Sequence, residues 1–337
     1  MSLYKVLITL PDGPIRRSFF TPKVLKKMKE MDHIEFSWND KNRHWTEEEL
    51  AEHLYDQDAC IFGWGCPKFA TETLKRCPNL KVLSVLGGGV KSYIEASLFE
   101  ETHIIVTNQA NQMAKSVAEA VLAYALAALR EIPYYDYQLK NGLPWRSDDY
   151  YNEGLFYRTM GMIGLGQVGR YVIEFLKPFD MEFIIYDPYI NPDTIVGKNI
   201  RMGTLEEAIE QSDIVSLHAA HTPETHHMIN AEKLSKIKDG ALLINTARGG
   251  VIDEQALIQE LKKKRFKAVL DVYEEEPLPL ESGLRDLSNV ILIPHMGGPT
   301  IDMRQYMTIG ALRDIDKVLH GKKPEHMITK EQLKIMT

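Results

Sequence analysis

Short runs of apolar and β-branched residues alternate with amphipathic stretches over the first part of the chain. The runs are YKVLIT, HIEFSW, ACIFGW, KVLSVL and HIIVT, and helical patterns at residues 22–31 and 46–54 lie between some of them. Strands that alternate with helices build parallel sheets, which the helices cover. The pattern therefore predicts an α/β domain with a parallel sheet.

A second alternation follows a long helical pattern at residues 116–130, which opens with a capping-box signature at Ser116 and Glu119. Its apolar runs are TMGMIG, EFIIYD, DIVSLH, GALLINT, KAVLDV and NVILIP. Strands at this spacing fit a doubly wound dinucleotide-binding domain. A last helical pattern, at residues 302–319, has no strand of its own to cover, so we expect it to return to the N-terminal part. Crossover hinges are predicted near Asn108 and Thr300.

Length and charge narrow the class of protein. A chain of 337 residues favours two domains, and a net charge of -7 offers no basic surface to nucleic acid. The longest apolar stretch, residues 120–129, covers about half a membrane span. The three cysteines form no CxxC pair, and no signal-peptide core precedes Pro11. We therefore expect a cytoplasmic protein without nucleic-acid or membrane partners.

A glycine-rich turn, GLGQVG, ends the run TMGMIG and opens a helical pattern. Its glycines allow a tight turn, close approach of a pyrophosphate and close helix packing, and the helix N-terminus favours an anion. The predicted cofactor contacts in the turn are Gly164, Gly166, Gln167, Val168 and Gly169. Asp187 ends the next strand, where it can accept hydrogen bonds from a ribose and repel a 2′-phosphate, so NAD is preferred over NADP. Alternatively, Asp187 caps the turn before Pro188.

The stretch VLGGGVKSY at residues 85–93 resembles another kind of nucleotide site, the P-loop. A P-loop requires a glycine directly before its lysine, but Val90 precedes Lys91. The stretch is therefore not expected to hold a nucleotide.

Three later strand ends carry residues suited to acid–base chemistry. Arg248 follows the run GALLINT, Glu276 follows KAVLDV, and His295 follows NVILIP. Ligands of such sheets bind outside the carboxyl ends of the strands, so these side chains can meet in one cleft. Arginine offers a permanent, planar charge to a carboxylate, and histidine exchanges protons near neutral pH. A structural ion pair at Arg248 and an ordinary polar role for His295 remain open from the residues alone.

Several motifs in order resemble the D-isomer-specific 2-hydroxyacid dehydrogenases. They are SVAEAVLAYAL, MGMIGLGQVGR, SLHAAHTPETHHMIN, INTARGGVIDEQALI, LDVYEEEPLPLESGL and NVILIPHMGG. The resemblance implies two doubly wound parallel-sheet α/β domains: a Rossmann NAD-binding domain, residues 109–302, inserted in a flavodoxin-like substrate-binding domain, residues 1–108 and 303–337. It also implies reversible hydride transfer between NAD(H) and a small 2-keto or 2-hydroxy acid, in a homodimer formed through the helix at 116–130. That helix can instead be buried within one chain.

The resemblance also implies the roles of the catalytic residues. Arg248 would bind the substrate carboxylate. His295 would act as general acid in reduction and general base in oxidation, and Glu276 would pair with His295. Further implied contacts with NADH are His218, Thr225, Thr246, Ala247, Asp271, Gly297 and Gly298.

Other histidines follow the run DIVSLH. The spacing of His218, His221, His226 and His227 matches no zinc pattern, so no metal site is expected.

The glycine stretch differs from the family pattern G-x-G-V-D at Lys91. Because the stretch ends the fourth predicted strand of the first domain and should face the cleft, the N–H groups of Gly87, Gly88 and Gly89 can hold the substrate carboxylate alongside Arg248. Lys91 adds a cation, which favours a keto acid with a second anionic group. A NADH-binding corepressor and a formate dehydrogenase are alternatives on the same fold.

Overall fold

The computed structural model describes residues 3–146, 152–195 and 197–335. The chain divides into two compact units, one formed by Met1–Ala114 with Pro299–Thr337 and the other by Lys115–Gly298. Positions 1, 2, 147–151, 196, 336 and 337 of the predicted domains lie outside the described residues.

Helices and strands alternate along both units. In the first half of the chain they are β1 (Tyr4–Ile8), α1 (Pro14–Phe19), α2 (Pro22–Lys29), β2 (Ile34–Trp38), α3 (Glu47–Leu54), β3 (Ala59–Phe62), α4 (Thr71–Leu74), β4 (Val82–Val85), α5 (Leu98–Glu101), β5 (Ile105–Thr107), α6 (Ala110–Leu129) and α7 (Ile132–Lys140). In the second half they are β6 (Thr159–Ile163), α8 (Gln167–Leu176), β7 (Glu182–Tyr186), β8 (Ile200–Met202), α9 (Leu205–Glu210), β9 (Ile214–Leu217), α10 (Ala231–Ser235), β10 (Leu242–Asn245), α11 (Glu254–Lys262), β11 (Lys267–Leu270), β12 (Val290–Leu292), α12 (Arg304–Leu319) and α13 (Lys330–Ile335).

The first unit is built on a five-stranded parallel sheet with the order β2-β1-β3-β4-β5. This is the flavodoxin-like order. Successive side chains of β1 enter opposite cores, because Val6 and Ile8 belong to one apolar cluster and Leu7 to the other. Met307 and Ile315 of α12 pack in the cluster that contains Val6, so α12 covers one face of this sheet.

The second unit is built on a seven-stranded parallel sheet with the order β12-β11-β10-β9-β6-β7-β8. The chain order reverses between β6 and β9, where Met160 pairs with Ile214. A Rossmann sheet has its crevice at this position, outside the carboxyl ends of the strands. The predicted fold class of two parallel-sheet α/β domains is confirmed.

Two features differ from the sequence prediction. Strand β8, with the sequence IRM, lies at an edge of the sheet and was not predicted. Helix α6 begins at Ala110, so the prediction that a helix starts at a capping box on Ser116 is wrong. Ser116 lies inside the helix, where its side chain is buried, and Glu119 is exposed. A capping box needs an N-terminal backbone with free N–H groups, which an interior helical position does not offer.

Within residues 3–146, 152–195 and 197–335, every helix is too short or too polar to span a bilayer.

Candidate active site

The glycine-rich turn joins β6 to α8 in the second unit. Gly164 has a φ of +95°, and a Cβ there would lie 2.8 Å from the backbone nitrogen of Ala219, so only glycine fits. Gly166 is the N-cap of α8, and a Cβ there would meet no atom within 4 Å. A Cβ on Gly169 would lie 3.1 Å from the carbonyl oxygen of Gly164. The turn therefore presents an open helix N-terminus, which is suited to an anion. Gln167 is exposed and Val168 half-buried in the first turn of α8.

Asp187 follows β7 and is bound to the glycine turn. Its Oδ2 accepts a hydrogen bond from the backbone N–H of Leu165 at 2.8 Å, and its Oδ1 accepts one from Tyr189 at 2.9 Å. The bond to Tyr189 is the turn cap that the sequence left open as an alternative. The bond to Leu165 places the carboxylate next to the turn, where a ribose of the predicted cofactor would lie.

A tight loop after β10 carries Arg248. Asn245 holds both sides of this loop, because its Oδ1 accepts from the N–H of Ala247 at 3.0 Å and its Nδ2 donates to the carbonyl of Arg248 at 3.1 Å. A Cβ on Gly249 would lie 1.9 Å from the backbone of Tyr273, so the loop can pack only with glycine there.

The Arg248 side chain has no carboxylate partner within salt-bridge distance among the residues that the structure describes. Its Nη1 donates to the carbonyl of Ala247 at 2.6 Å. Burial lowers the pKa of Arg248, while the charge of Glu276 opposes this shift. The structural ion pair considered for Arg248 is thus not formed within the described chain, and its guanidinium can serve an acidic ligand.

His295 and Glu276 pair directly. Nδ1 of His295 lies 2.6 Å from Oε2 of Glu276, and Oε1 of Glu276 accepts a hydrogen bond from the N–H of Tyr273 at 3.1 Å. His295 follows β12, and its φ is +52°, in the left-handed region that most side chains avoid. The pair joins the ends of two neighbouring strands, and Glu276 is close enough to Arg248 to act on its charge.

The Asp271 carboxylate accepts hydrogen bonds from the backbone that follows His295. Its Oδ1 accepts the N–H of Met296 at 2.7 Å, and its Oδ2 accepts the N–H of Gly297 at 2.8 Å. A Cβ on Gly297 would lie 2.6 Å from Oδ2, so this close approach requires glycine. Burial raises the pKa of Asp271, and the two backbone hydrogen bonds oppose the shift. Both oxygens thus bind backbone, a role the sequence did not indicate. Gly298 follows, half-buried.

Two predicted cofactor contacts hold buried polar atoms without a hydrogen-bond partner among the described residues. They are Nδ1 of His218 and Oγ1 of Thr246. The other ring nitrogen of His218 lies 3.0 Å from the hydroxyl of Ser216, and burial lowers the pKa of His218 to about 4. Because an unpaired buried polar atom is costly, these two atoms fit a bound group that supplies their partners.

Thr225 does not present a free hydroxyl. Its Oγ1 donates to the carbonyl of Ala220 at 2.6 Å and accepts from the N–H of Thr222 at 2.8 Å. It therefore holds the shape of the loop after β9. Ala247 lies half-buried in the loop after β10.

The neighbouring histidines form a cluster of their own. Nε2 of His221 lies 3.1 Å from Nδ1 of His226, the ring of His226 stacks on that of His227 at 3.9 Å, and His227 pairs with Glu274. Burial lowers the pKa of His221, and the charges of His226 and Arg248 lower it further. The cluster thus lies near Arg248.

The stretch proposed for substrate lies in the first unit, directly after β4. Gln109 donates its backbone N–H to the carbonyl of Gly87 at 2.9 Å, and Nδ2 of Asn108 donates to the carbonyl of Gly88 at 2.6 Å. Gly87, Gly88 and Gly89 donate no backbone–backbone hydrogen bond within the described residues. Lys91 is exposed. The stretch thus presents backbone N–H groups at the carboxyl end of its strand.

Tyr124 of α6 is a further residue of this region that the sequence did not indicate. Its hydroxyl donates to Oδ1 of Asp271 at 3.4 Å, and burial together with the Asp271 charge raises the pKa of Tyr124. The spacing of α6 marked Tyr124 only as one more apolar position, so no signal in the sequence linked it to the segment around His295.

Comparison with known proteins identifies the family. The model of the D-isomer specific 2-hydroxyacid dehydrogenase NAD-binding domain matches residues 122–297. The chain is 36% identical over 304 residues to a glyoxylate reductase of Thermofilum pendens, covering 88% of each chain. It is 35% identical over 285 residues to a D-3-phosphoglycerate dehydrogenase of Methanocaldococcus jannaschii, covering 84% of this chain and 54% of that one. It thus spans about half the length of this second relative.

A solved structure has a similar fold. An acyclic imino acid reductase in complex with NADPH and D-Arg has a TM-score of 0.78 and 27% identity, covering 96% of this chain and 100% of that chain. The predicted family and the predicted NAD-binding domain are therefore confirmed. The chain belongs to the D-isomer specific 2-hydroxyacid dehydrogenases, a family of NAD-dependent oxidoreductases that act on the CH–OH group of 2-hydroxy acids.

Proposed function

We propose that this chain is an NAD-dependent D-2-hydroxyacid dehydrogenase that reduces a small 2-keto acid reversibly. The observation that carries the proposal is the 2.6 Å contact between His295 and Glu276, close to an arginine that no carboxylate of the described chain neutralises. On this proposal residues 109–302 are the NAD-binding domain, and residues 1–108 with 303–337 bind substrate.

The residues around β6 and β10 fit the cofactor. The N-terminus of α8 at Gly166 would hold the pyrophosphate, and Asp187 would accept a hydrogen bond from the adenosine ribose. His218 and Thr246 would find partners for their unpaired buried atoms. When bound, the cofactor supplies or accepts the hydride. We expect a lower KM for NADH than for NADPH, because Asp187 would repel a 2′-phosphate; a lower KM for NADPH would refute this role.

The protein supplies orientation and the proton. The guanidinium of Arg248 would bind the substrate carboxylate in a two-bond fork and so align the keto oxygen. Glu276 holds Nδ1 of His295, which leaves Nε2 to donate a proton to the keto oxygen during reduction. In the reverse direction the same nitrogen accepts the proton of the hydroxyl group. The backbone N–H groups of Gly87, Gly88 and Gly89 are the proposed further donors to the carboxylate, and none of them donates a backbone–backbone hydrogen bond within the described residues.

The decisive test of the reaction is turnover with NADH and a panel of keto acids. The panel contains glyoxylate, hydroxypyruvate, pyruvate, oxaloacetate and phosphohydroxypyruvate, and NAD with formate is tested in parallel. A formate dehydrogenase would not require Glu276, and a corepressor-like protein would bind NADH without turnover. We expect reduction of at least one keto acid; NADH binding without turnover would favour the corepressor.

A variant tests the proton donor. His295→Ala should lower kcat by about 100-fold to 10,000-fold, the contribution of a general acid, and should leave NADH affinity unchanged. His103→Ala, which removes an exposed histidine of the first unit, is the control. Full activity of His295→Ala would remove this residue from the mechanism.

Lys91 bears on the choice of substrate. We propose that its exposed charge favours a keto acid with a second anionic group. Lys91→Asp should therefore lower kcat/KM for oxaloacetate and phosphohydroxypyruvate more than for glyoxylate. An unchanged ranking of the three substrates would make Lys91 an ordinary surface residue.

The homodimer, the cytoplasmic location and the D configuration of the product stay predictions. Val121, Ala125 and Leu129 of α6 pack in the core of the second unit, which favours the buried-helix alternative for this segment. Helix α7, which follows α6, exposes four large apolar or aromatic side chains, Ile132, Tyr134, Tyr137 and Leu139. A dimer through this region would therefore use α7. Measurement of the mass in solution, for the chain and for Tyr137→Glu, tests this assignment.

A further inference from the structure

Three potential metal ligands that have no role in the proposed reaction converge in the first unit. His33 lies in the turn before β2, Asp316 lies in the last turn of α12, and His320 is the C-cap of that helix. One ligand atom of each lies within 4.8 Å of the other two. Nε2 of His33 is 2.7 Å from Oδ1 of Asp316, and Nδ1 of His320 is 3.4 Å from the same oxygen.

Regular structure holds the three side chains in place. Asp316 and His320 are four residues apart on a helix, so they lie on the same face. His33 is anchored because its carbonyl accepts the backbone N–H of Tyr4, where β1 begins. The rings of His33 and His320 are 5.1 Å apart, and the ring of Tyr4 packs edge-on against His320. The cluster therefore needs only side-chain adjustment to close around an ion.

The local charges favour a cation. A helix C-terminus carries partial negative charge, so Asp316 is unfavourable there unless a positive charge compensates it. Asp32 adds a second carboxylate, whose Oδ1 lies 3.7 Å from Nδ1 of His33. A carboxylate behind a ligating histidine is a common outer partner in metal sites. The nearby Lys317 and Lys81 are paired with Glu325 and Asp58 and do not reach Asp316 within salt-bridge distance.

We propose that His33, Asp316 and His320 bind a divalent transition-metal ion of the zinc class. Two imidazole nitrogens and one carboxylate oxygen suit Zn²⁺, with water completing the tetrahedron, whereas Ca²⁺ and Mg²⁺ prefer oxygen ligands alone. The ion would replace two hydrogen bonds, the one between His33 and Oδ1 of Asp316 and the one of 2.8 Å between Nδ1 of His320 and the backbone carbonyl of Asp316. It would join the start of β2 to the end of α12.

Within the first unit this site lies at the opposite edge of the sheet from the stretch proposed for substrate. His33 precedes β2, whereas Gly87 follows β4, so we expect the ion to stabilise the first unit without entering the reaction. No metal site was expected from the sequence, because the histidines that follow β9 match no zinc pattern and no local motif joins His33 to His320. His33 and His320 come together only when α12 returns to the first sheet.

The test uses the full chain after treatment with a chelator. Co²⁺ is titrated while its visible absorption is followed, Zn²⁺ is then added in competition, and melting is recorded with and without Zn²⁺. We expect uptake of a single Co²⁺ that Zn²⁺ displaces, and a higher melting temperature with Zn²⁺, because a ligand that binds only the folded state stabilises it.

Variants locate the ion. His33→Gln and His320→Gln should each weaken Co²⁺ binding by about tenfold or more. His103→Gln, an exposed histidine of the same unit, is the matched control, and His226→Gln tests the competing pair of His221 and His226. Melting without metal verifies that each variant folds. Equal Co²⁺ affinity in His33→Gln, His320→Gln and the control would overturn the proposal, as would no uptake by the parent chain or loss only in His226→Gln.

Discussion

Removal of the Tyr124 hydroxyl should reduce turnover although this side chain is not assigned to substrate or cofactor. Tyr124 donates to Asp271, and Asp271 accepts the two backbone N–H groups that follow His295. His295 has a left-handed backbone, a conformation that costs energy and persists only where its surroundings hold it. Tyr124→Phe keeps the ring and removes one of the interactions that position Asp271.

The size of the effect follows from the geometry. A hydrogen bond to a charged group contributes about 1.5–3 kcal/mol, but the distance of 3.4 Å is longer than a normal O–H···O bond. We therefore expect a loss of about 1 kcal/mol, which is about a fivefold decrease in kcat. KM for NADH should change less than kcat, because the glycine turn and Asp187 are unaffected and only the implied contact at Asp271 is disturbed.

The pH profile separates a positioning role from a general loss of stability. The Tyr124 hydrogen bond helps to keep the Asp271 carboxylate ionised against the effect of burial, so its removal should raise the pKa of Asp271 further. A protonated Asp271 cannot accept both N–H groups, and the acid limb of the kcat profile should therefore move to higher pH in Tyr124→Phe.

The control is Tyr157→Phe, which removes the hydroxyl of an exposed tyrosine in the same unit. Steady-state kinetics with NADH and the best keto acid, measured across pH, compare the two variants with the parent chain. If Tyr124→Phe matches Tyr157→Phe in both kcat and the acid limb, the hydroxyl of Tyr124 has no part in holding the segment around His295.

Two further outcomes follow from buried positions. The pKa of His218 is lowered to about 4 by burial, so the unfolded chain binds the extra proton first and stability falls as pH drops below about 6.5. Between pH 7 and 5 the free energy of unfolding of the second unit should fall by about 2 kcal/mol because of this histidine. In urea unfolding, His218→Gln should show a smaller fall over the same pH range than the parent chain, and equal falls would contradict this role of His218. Gly249→Ala should destabilise by about 3 kcal/mol or more, because its Cβ would overlap the Tyr273 backbone. Gly166→Ala, with open space around its Cβ, should melt normally yet bind NADH more weakly, and a normal melt of both variants would refute the packing argument.

The strands could be predicted because each one is marked by a short apolar run in the sequence. Both parallel sheets contain every strand expected from the apolar runs, since a buried parallel strand is apolar along its whole length. Strand β8 escaped prediction because an edge strand with the sequence IRM is short and partly polar. The start of α6 was misplaced because Ser116 and Glu119 match a cap pattern, while the helix-forming residues before them extend the helix to Ala110.

Only part of the candidate site could be predicted from the sequence. Arg248, Glu276 and His295 each follow a strand, so topology alone brings them to one edge of the sheet. The contacts of Asp271 and Tyr124 could not be predicted, because they join residues far apart in the chain through side-chain directions that no local pattern encodes. The cluster of His33, Asp316 and His320 depends on the return of α12 in the same way.

The left-handed backbone at His295 has a consequence for engineering. Glycine adopts this conformation without steric cost, so relief of strain would favour His295→Gly in any selection for stability alone. The same substitution would remove the proposed proton donor. Stability and activity would thus oppose each other at this residue, as they do at strained active sites in general. A thermostable variant of this protein should be sought by changes elsewhere, with position 295 kept fixed.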